Sequence, residues 1–179
     1  MVYTLKVINH KQEDFSFLKN NFIIYYQDDE FLYDLLLDIE EKKILSASNN
    51  LLAVFSQFED ITEALEKALE NLKTEDINHQ RALDMLAGSE TLLKRSKELY
   101  FTNYSTLEDE LLELDRQRDY QSISSLLHKI KGFSLYLGSQ RLYDTIIMIE
   151  DEIADGNYKV DNIMYFIRLH QRILKYCQE

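Results

Sequence analysis

Four residues in the stretch from Ser125 to Gly138 have types and spacing suited to group-transfer chemistry: His128, Lys131, Gly132 and Gly138. On an α-helix, positions i, i+3 and i+4 share one face, so His128, Lys131 and Gly132 would form one small patch. A neutral imidazole is a nucleophile near physiological pH. A phosphoryl group moved onto it brings negative charge, which a lysine one turn away can offset. A mid-helix glycine costs about 1 kcal/mol against alanine. Its gain would be room for a bulky partner to approach the ring. Gly138 reads as the helix end. Ile123, Leu127, Ile130, Ser134 and Leu137 fall on other faces and can carry the packing.

The spacing His128-x-x-Lys131-Gly132-x-x-x-x-x-Gly138 resembles the signature of histidine-containing phosphotransfer (HPt) domains, the relay modules of multistep two-component signalling. The four fixed positions all match. Arg118-Asp119-Tyr120 stands where the family has an Asp-aromatic pair opening the helix, and Gln140-Arg141-Leu142 follows Gly138 as the family's next helix does. The resemblance covers roughly residues 80–179. It implies that His128 is the phosphoacceptor, that Lys131 stabilises the phosphoryl group and that Gly132 gives access. It also implies phosphorylation at Nε2, with Nδ1 oriented by the residue twenty-two positions on, here Glu150. A carboxylate accepting from Nδ1–H fixes the tautomer and makes the ring a better nucleophile. Ser124 and Leu135, on either side of the histidine, are the expected partner contacts.

The elements that must position this patch are read from periodicity. The chain has 179 residues, a net charge of −12, no proline, four glycines and one cysteine, Cys177. The composition favours helices throughout. The acidic balance argues against nucleic acid or an anionic membrane as partner. One cysteine excludes a disulfide framework within one chain. No apolar run reaches membrane-spanning length and no signal-peptide pattern opens the sequence, so a cytoplasmic protein is expected.

Residues 1–17 are ambiguous, with Val2, Leu5 and Val7 compatible with a short strand or an extended arm. A broad apolar stripe from Leu18 to Glu41 predicts a helix, and residues 49–72 predict another. The polar run from Lys73 to Gln80 suggests a boundary. From there a short helix closes at Gly88, with Ser89 as the next N-cap. An unbroken helix is predicted over 90–117. Asp119 then caps the helix of His128, and two further helices run from about 139 to 154 and from about 161 to 176, separated by Asp155-Gly156-Asn157. The expected fold class is therefore all-α: an antiparallel four-helix, HPt-like bundle in residues 77–179, with a mainly helical N-terminal region in residues 1–76.

That first region admits two further readings. At an offset of 75, residues 18–58 lie over 93–133, with Leu18 on Leu93, Tyr25 on Tyr100 and Leu52 on Leu127. This suggests a degenerate HPt-like repeat in which Ala53 replaces His128, though two Leu-rich amphipathic helices also align by periodicity alone. Alternatively, the stretch from Asn21 to Phe31, with Asp28 and Asp29, looks like the first strand and acidic pair of a receiver domain, and Ile44 to Asn50 could mimic its second strand. Ile61 to Leu72 then stands where a receiver needs a strand, and its pattern is that of an amphipathic helix.

Other titratable residues are read more plainly. His170 lies on an apolar face and reads as a packed histidine. His10 and His79 have no partners in sequence, and Lys129 points about 100° away from His128. There is no nucleophile elbow, metal spacing or phosphate-binding loop, and hence no visible ATP site. The resemblance implies a phosphorelay intermediate, rather than a classical enzyme. It would accept the group from a receiver phospho-aspartate and pass it to another receiver aspartate. The expected partners are receiver domains of response regulators and of hybrid sensor kinases. No cofactor is expected, since the family's Mg²⁺ is held by the receiver, and a monomer is expected. Two alternatives stay open: a helical adaptor that binds receivers without accepting phosphate, and a sink that drains a receiver in the reverse direction.

Overall fold

The computed structural model describes residues 3–9, 15–19, 22–26 and 32–178, the side chains of 73–75 excepted. The chain divides into two compact units, residues 1–74 and 75–179.

The first unit overturns the all-α expectation. It holds a five-stranded mixed sheet: β1 (Tyr3–Ile8), β2 (Phe22–Tyr26), β3 (Leu35–Asp38), β4 (Lys43–Ser46) and β5 (Leu51–Val54), in the order β2-β1-β3-β4-β5. β1 pairs in parallel with β2 and β3, while β3, β4 and β5 run antiparallel. The helix α1 (Ile61–Asp76) follows, its register set by buried Ile61, Leu65, Ala68 and Leu72. With five strands and seven α-helices among the described residues the chain is α/β, and the mainly helical reading of residues 1–76 does not stand. The physical reason is local. Phe22 to Tyr26 is a run of aromatic and β-branched residues that suits a pleated surface better than a helix, and apolar runs this short fit either period. Leu5 and Val7 alternate inward on β1, as do Leu35 and Leu37 on β3. Thr4 pins these two strands: its backbone N–H and its Oγ1 both donate to Asp34 Oδ2, at 2.7 and 2.8 Å, and all of these groups are buried.

The repeat reading falls with the helices it needs, since residues 18–58 are chiefly strands and turns where 93–133 are helices. The strand order 2-1-3-4-5 is that of flavodoxin-like sheets, but there all five strands run parallel. The strand at 22–26 is second in the chain and lies at a sheet edge, and the acidic pair Asp28-Asp29 lies outside the described residues, as do Val2 and His10. Asp38, at the end of β3, is buried and accepts from Asn9 Nδ2 and from the Glu41 amide.

The second unit contains α2 (His79–Met85), α3 (Glu90–Tyr104), α4 (Leu107–Gln117), α5 (Tyr120–Tyr136), α6 (Gln140–Ala154) and α7 (Val160–Gln178). α5 packs on α4 and α6, and α7 packs on α3, α4 and α6. The starts of α3, α5 and α6 are set by Ser89, Asp119 and Ser139, whose side chains accept from the amides of Leu92, Ser122 and Leu142. Among the described residues, no helix is long and apolar enough to cross a membrane.

The helix predicted as unbroken over 90–117 is two helices. The break follows Tyr104, whose carbonyl oxygen accepts from His170 Nε2–H at 3.0 Å. Thr106 then opens α4, and Glu108, Asp109 and Glu110 occupy its first turn, where the helix dipole favours carboxylates. With Nε2 as donor, His170 Nδ1 accepts from the Tyr100 hydroxyl at 2.7 Å, and both rings are buried. Burial holds the His170 pKa down, from 6.5 to about 4, against the opposing effect of its bond to Tyr104.

That depression has a sign. Between the unfolded and folded values the unfolded chain binds more protons, so the contribution is complete above pH 6.5 and is lost as pH falls towards about 4. The expected loss is roughly 3 kcal/mol over that window. Urea unfolding at stepped pH should show it, and His170→Gln, whose amide does not titrate, should flatten the slope. An unchanged slope in the variant would place the acid sensitivity elsewhere.

Candidate functional site

α5 buries Ile123, Leu126, Leu127, Ile130 and Ser134 and turns its opposite face outward. The outward stripe runs through Gln121, Ser125, His128, Gly132 and Tyr136. The His128 side chain is 71% exposed, in mid-helix, clear of both helix ends. At Gly132, one turn along, an added Cβ would meet no atom within 4 Å, so the surface beside the ring is open.

The approach of α6 is fixed by the connection at 137–139. Gly138 has φ +75°, and the Ser139 amide bonds back to the Ser134 carbonyl at 2.8 Å, closing α5 with a glycine in the left-handed region. A Cβ at Gly138 would lie 2.1 Å from the Asn78 carbonyl oxygen, so only glycine fits where the start of α2 crosses this turn. The turn sends α6 back against α5, and that packing brings Glu150 to the patch.

Glu150 bridges two residues of α5. Its Oε1 lies 3.0 Å from His128 Nδ1 and its Oε2 lies 2.6 Å from Lys131 Nζ. The Glu150 side chain is 15% exposed and that of Lys131 23%, so the bridge forms a shielded floor beneath an exposed ring. An ionised carboxylate only accepts hydrogen bonds, so Nδ1 carries the hydrogen and Nε2 keeps its lone pair. Among the described residues Nε2 has no partner. The arrangement offers an exposed nitrogen nucleophile of fixed tautomer, a cation one turn away and open space beside both.

Ser124 and Leu135 are half-buried, while Ser125 and Tyr136 are the more exposed neighbours of His128. The signal for these two was available, since they lie three residues before and eight after His128 on the same helical stripe. The Lys131–Glu150 pair was missed: the resemblance gives Lys131 as the stabiliser of a phosphoryl group and Glu150 as a partner of His128 alone. A polar network in the interior of this unit was also missed. Asp76 is buried there between Arg141 and Arg172.

His79 lies on the surface, 3.2 Å from Glu90 through Nε2. Burial pushes the Cys177 thiol up to about 12, against the opposing charge of Lys97, which keeps it protonated and unreactive. Among the described residues no group of three His, Cys, Asp or Glu side chains could hold a metal ion. No family model, curated protein or solved structure matches the chain.

Proposed function

We propose that this chain is a histidine phosphotransfer protein that takes a phosphoryl group on His128 from a receiver-domain phospho-aspartate and passes it to another receiver aspartate. The observation that carries the reading is the floor made by Glu150. It orients the His128 ring and leaves Nε2 free and exposed, at the residue spacing of the phosphotransfer signature. In this reading a receiver docks over the outer stripe of α5, and Nε2 attacks phosphorus in line through a loose transition state. Lys131 has two further N–H donors beyond the one on Glu150, and these offset charge on the phosphoryl oxygens. Gly132 leaves room for the receiver's loops, and Ser125 and Tyr136 join Ser124 and Leu135 at the contact. The protein acts in the cytoplasm as a monomer, with Mg²⁺ held by the receiver, and the carrier itself has no ATP-dependent step.

The test is transfer from a phosphorylated receiver domain to the full chain in the presence of Mg²⁺. The expected product carries an acid-labile, alkali-stable label. No label from any of several receivers would leave the receiver-binding adaptor as the better account.

Gly132→Ala separates folding from function. The added methyl meets open space, so folded stability is expected to rise by roughly 1 kcal/mol. The same methyl stands where the partner must approach, and transfer is expected to slow about tenfold, the equivalent of one poorly accommodated contact of about 1.4 kcal/mol. Thermal unfolding and transfer rates on the same preparation check both halves. An equal or faster rate would remove the access role.

A further inference from the structure

The first unit carries a surface feature that the phosphotransfer reading does not use. Between β1, β2 and α1 lies a pocket of about 240 Å³, open to solvent. Phe17, Phe22, Leu65 and Leu69 form apolar walls, and Thr62 and Glu66 of α1 stand exposed at its mouth.

Beside the mouth is a pair of exposed aromatic rings. The 3-10 turn at Ser16–Leu18 sends Phe15 and Leu18, three positions apart, into the core. Phe17 is left facing outward, 49% exposed. Phe58, 36% exposed, meets it edge-on with 6.0 Å between ring centroids. Buried Phe15 backs both rings, at 6.4 Å from Phe17 and 5.5 Å from Phe58. The turn that carries Phe58 is tied down as well. Asp60 Oδ2 accepts from the Ser56 and Gln57 amides at 3.3 and 3.0 Å, and the Ser56 carbonyl accepts from Lys42 Nζ at 2.7 Å. Exposed aromatic rings held on fixed turns beside a pocket are the marks of a recognition surface.

We propose that this pocket is a docking site for a basic polypeptide segment that inserts one large apolar side chain between Phe17 and α1. Size and charge choose the occupant. The volume is below the roughly 300–1,000 Å³ of sites for drug-sized ligands and suits a single anchor side chain, the kind that dominates interface energies. The charge is acidic. α1 and the turn before it expose Glu59, Asp60, Glu63, Glu66 and Glu70, while Lys67 and Lys19 are the exposed lysines on the elements around the pocket. A rim of this balance attracts lysine and arginine beside the anchor and repels nucleic acid and anionic membranes. It also disfavours a second copy of the chain, since a two-fold pair would set one acidic helix against the other.

The test selects from a random-sequence peptide library on the immobilised full chain and measures the selected peptides by fluorescence anisotropy. Enrichment is expected for an aromatic residue or leucine flanked by lysine or arginine. Thr62→Trp fills the mouth of the pocket from an exposed position and is expected to weaken these peptides about thirtyfold, the factor that one hot-spot anchor carries. Glu66→Lys is expected to weaken them severalfold and to flatten their salt dependence. His128→Gln should bind them as wild type does, because the pocket lies in the first unit. Thermal unfolding checks that each variant is folded. Failure to enrich any peptide would overturn the proposal. So would enriched peptides that lack basic residues, or that bind Thr62→Trp as tightly as wild type. A dimer in sedimentation equilibrium that Thr62→Trp breaks would assign the pocket to a second copy and overturn it too. The selection needs no receiver and no label on His128, so this proposal and the phosphotransfer reading fail separately.

Discussion

His128→Gln is expected to lose all acid-labile label from a phosphorylated receiver while folding as the wild type does. The first half follows from chemistry. A glutamine amide nitrogen has no available lone pair, so nothing remains at position 128 to attack phosphorus. The second half follows from geometry. The histidine side chain is 71% exposed and, among the described residues, bonds only to Glu150, which keeps Lys131 as a partner. A surface change of this kind shifts stability by no more than about 0.5 kcal/mol. Thermal unfolding of the variant should therefore overlay the wild type while labelling falls to background. Lys131→Ala should label more slowly, by roughly a hundredfold, as when one donor to a developing oxyanion is removed. Label that survives in His128→Gln would place the acceptor elsewhere and overturn the reading of the motif.

What was legible in the sequence divides along the same line as the chain. In the second unit the helix ends are written locally. Ser89, Asp119 and Ser139 each stand just before a helix and bond to an amide three residues on, and Gly138 and Gly156 close helices in the left-handed region. The break between α3 and α4 depends instead on His170, sixty-six residues from the carbonyl it binds, and no local pattern shows that bond. Even so, Thr106 followed by an acidic first turn was a readable start signal.

In the first unit the determinants are distant. The parallel pairing of β1 with β3 and the buried contact between Thr4 and Asp34 join residues thirty apart. The β3–β4 turn also lacks the usual markers, whereas the β4–β5 turn carries Ser48-Asn49-Asn50. Lys42 takes positive φ where a glycine would have advertised a hairpin. At the site, His128, Lys131 and Gly132 were legible because helical spacing alone brings them together. The ion pair between Lys131 and Glu150 was not, because it depends on how closely α6 returns along α5, and a backbone contact between Gly138 and Asn78 sets that turn.

Asp76→Ala is expected to cost the second unit roughly 3–5 kcal/mol, the range for breaking a buried ion pair by removing one partner. Asp76 is 4% exposed. Its Oδ1 accepts from Arg141 Nη1 at 3.2 Å and its Oδ2 from Arg172 Nε at 2.6 Å. Arg141 Nε also donates to the Tyr165 hydroxyl at 2.7 Å, so this guanidinium is fixed at two points in the interior. Alanine would remove from two buried guanidinium groups the carboxylate that Asp76 supplies, and breaking a buried ion pair in this way is costly. Asp76→Asn keeps one oxygen acceptor but no charge and should fall between alanine and wild type. Since domains of this size are stable by about 5–15 kcal/mol in all, the alanine variant should lose a large share of its margin in urea.

The functional consequence should be a loss of folded molecules rather than of chemistry. Arg141 opens α6 and Glu150 lies further along the same helix, but the bridge from Glu150 to His128 and Lys131 involves neither Asp76 nor the two arginines. Labelling per folded molecule should therefore match wild type while the folded fraction drops. A cost below about 1 kcal/mol would show that the arginines find other acceptors when Asp76 is gone. A drop in labelling that outruns unfolding would show that this network helps to place Glu150, and would tie the interior of the unit to its exposed histidine.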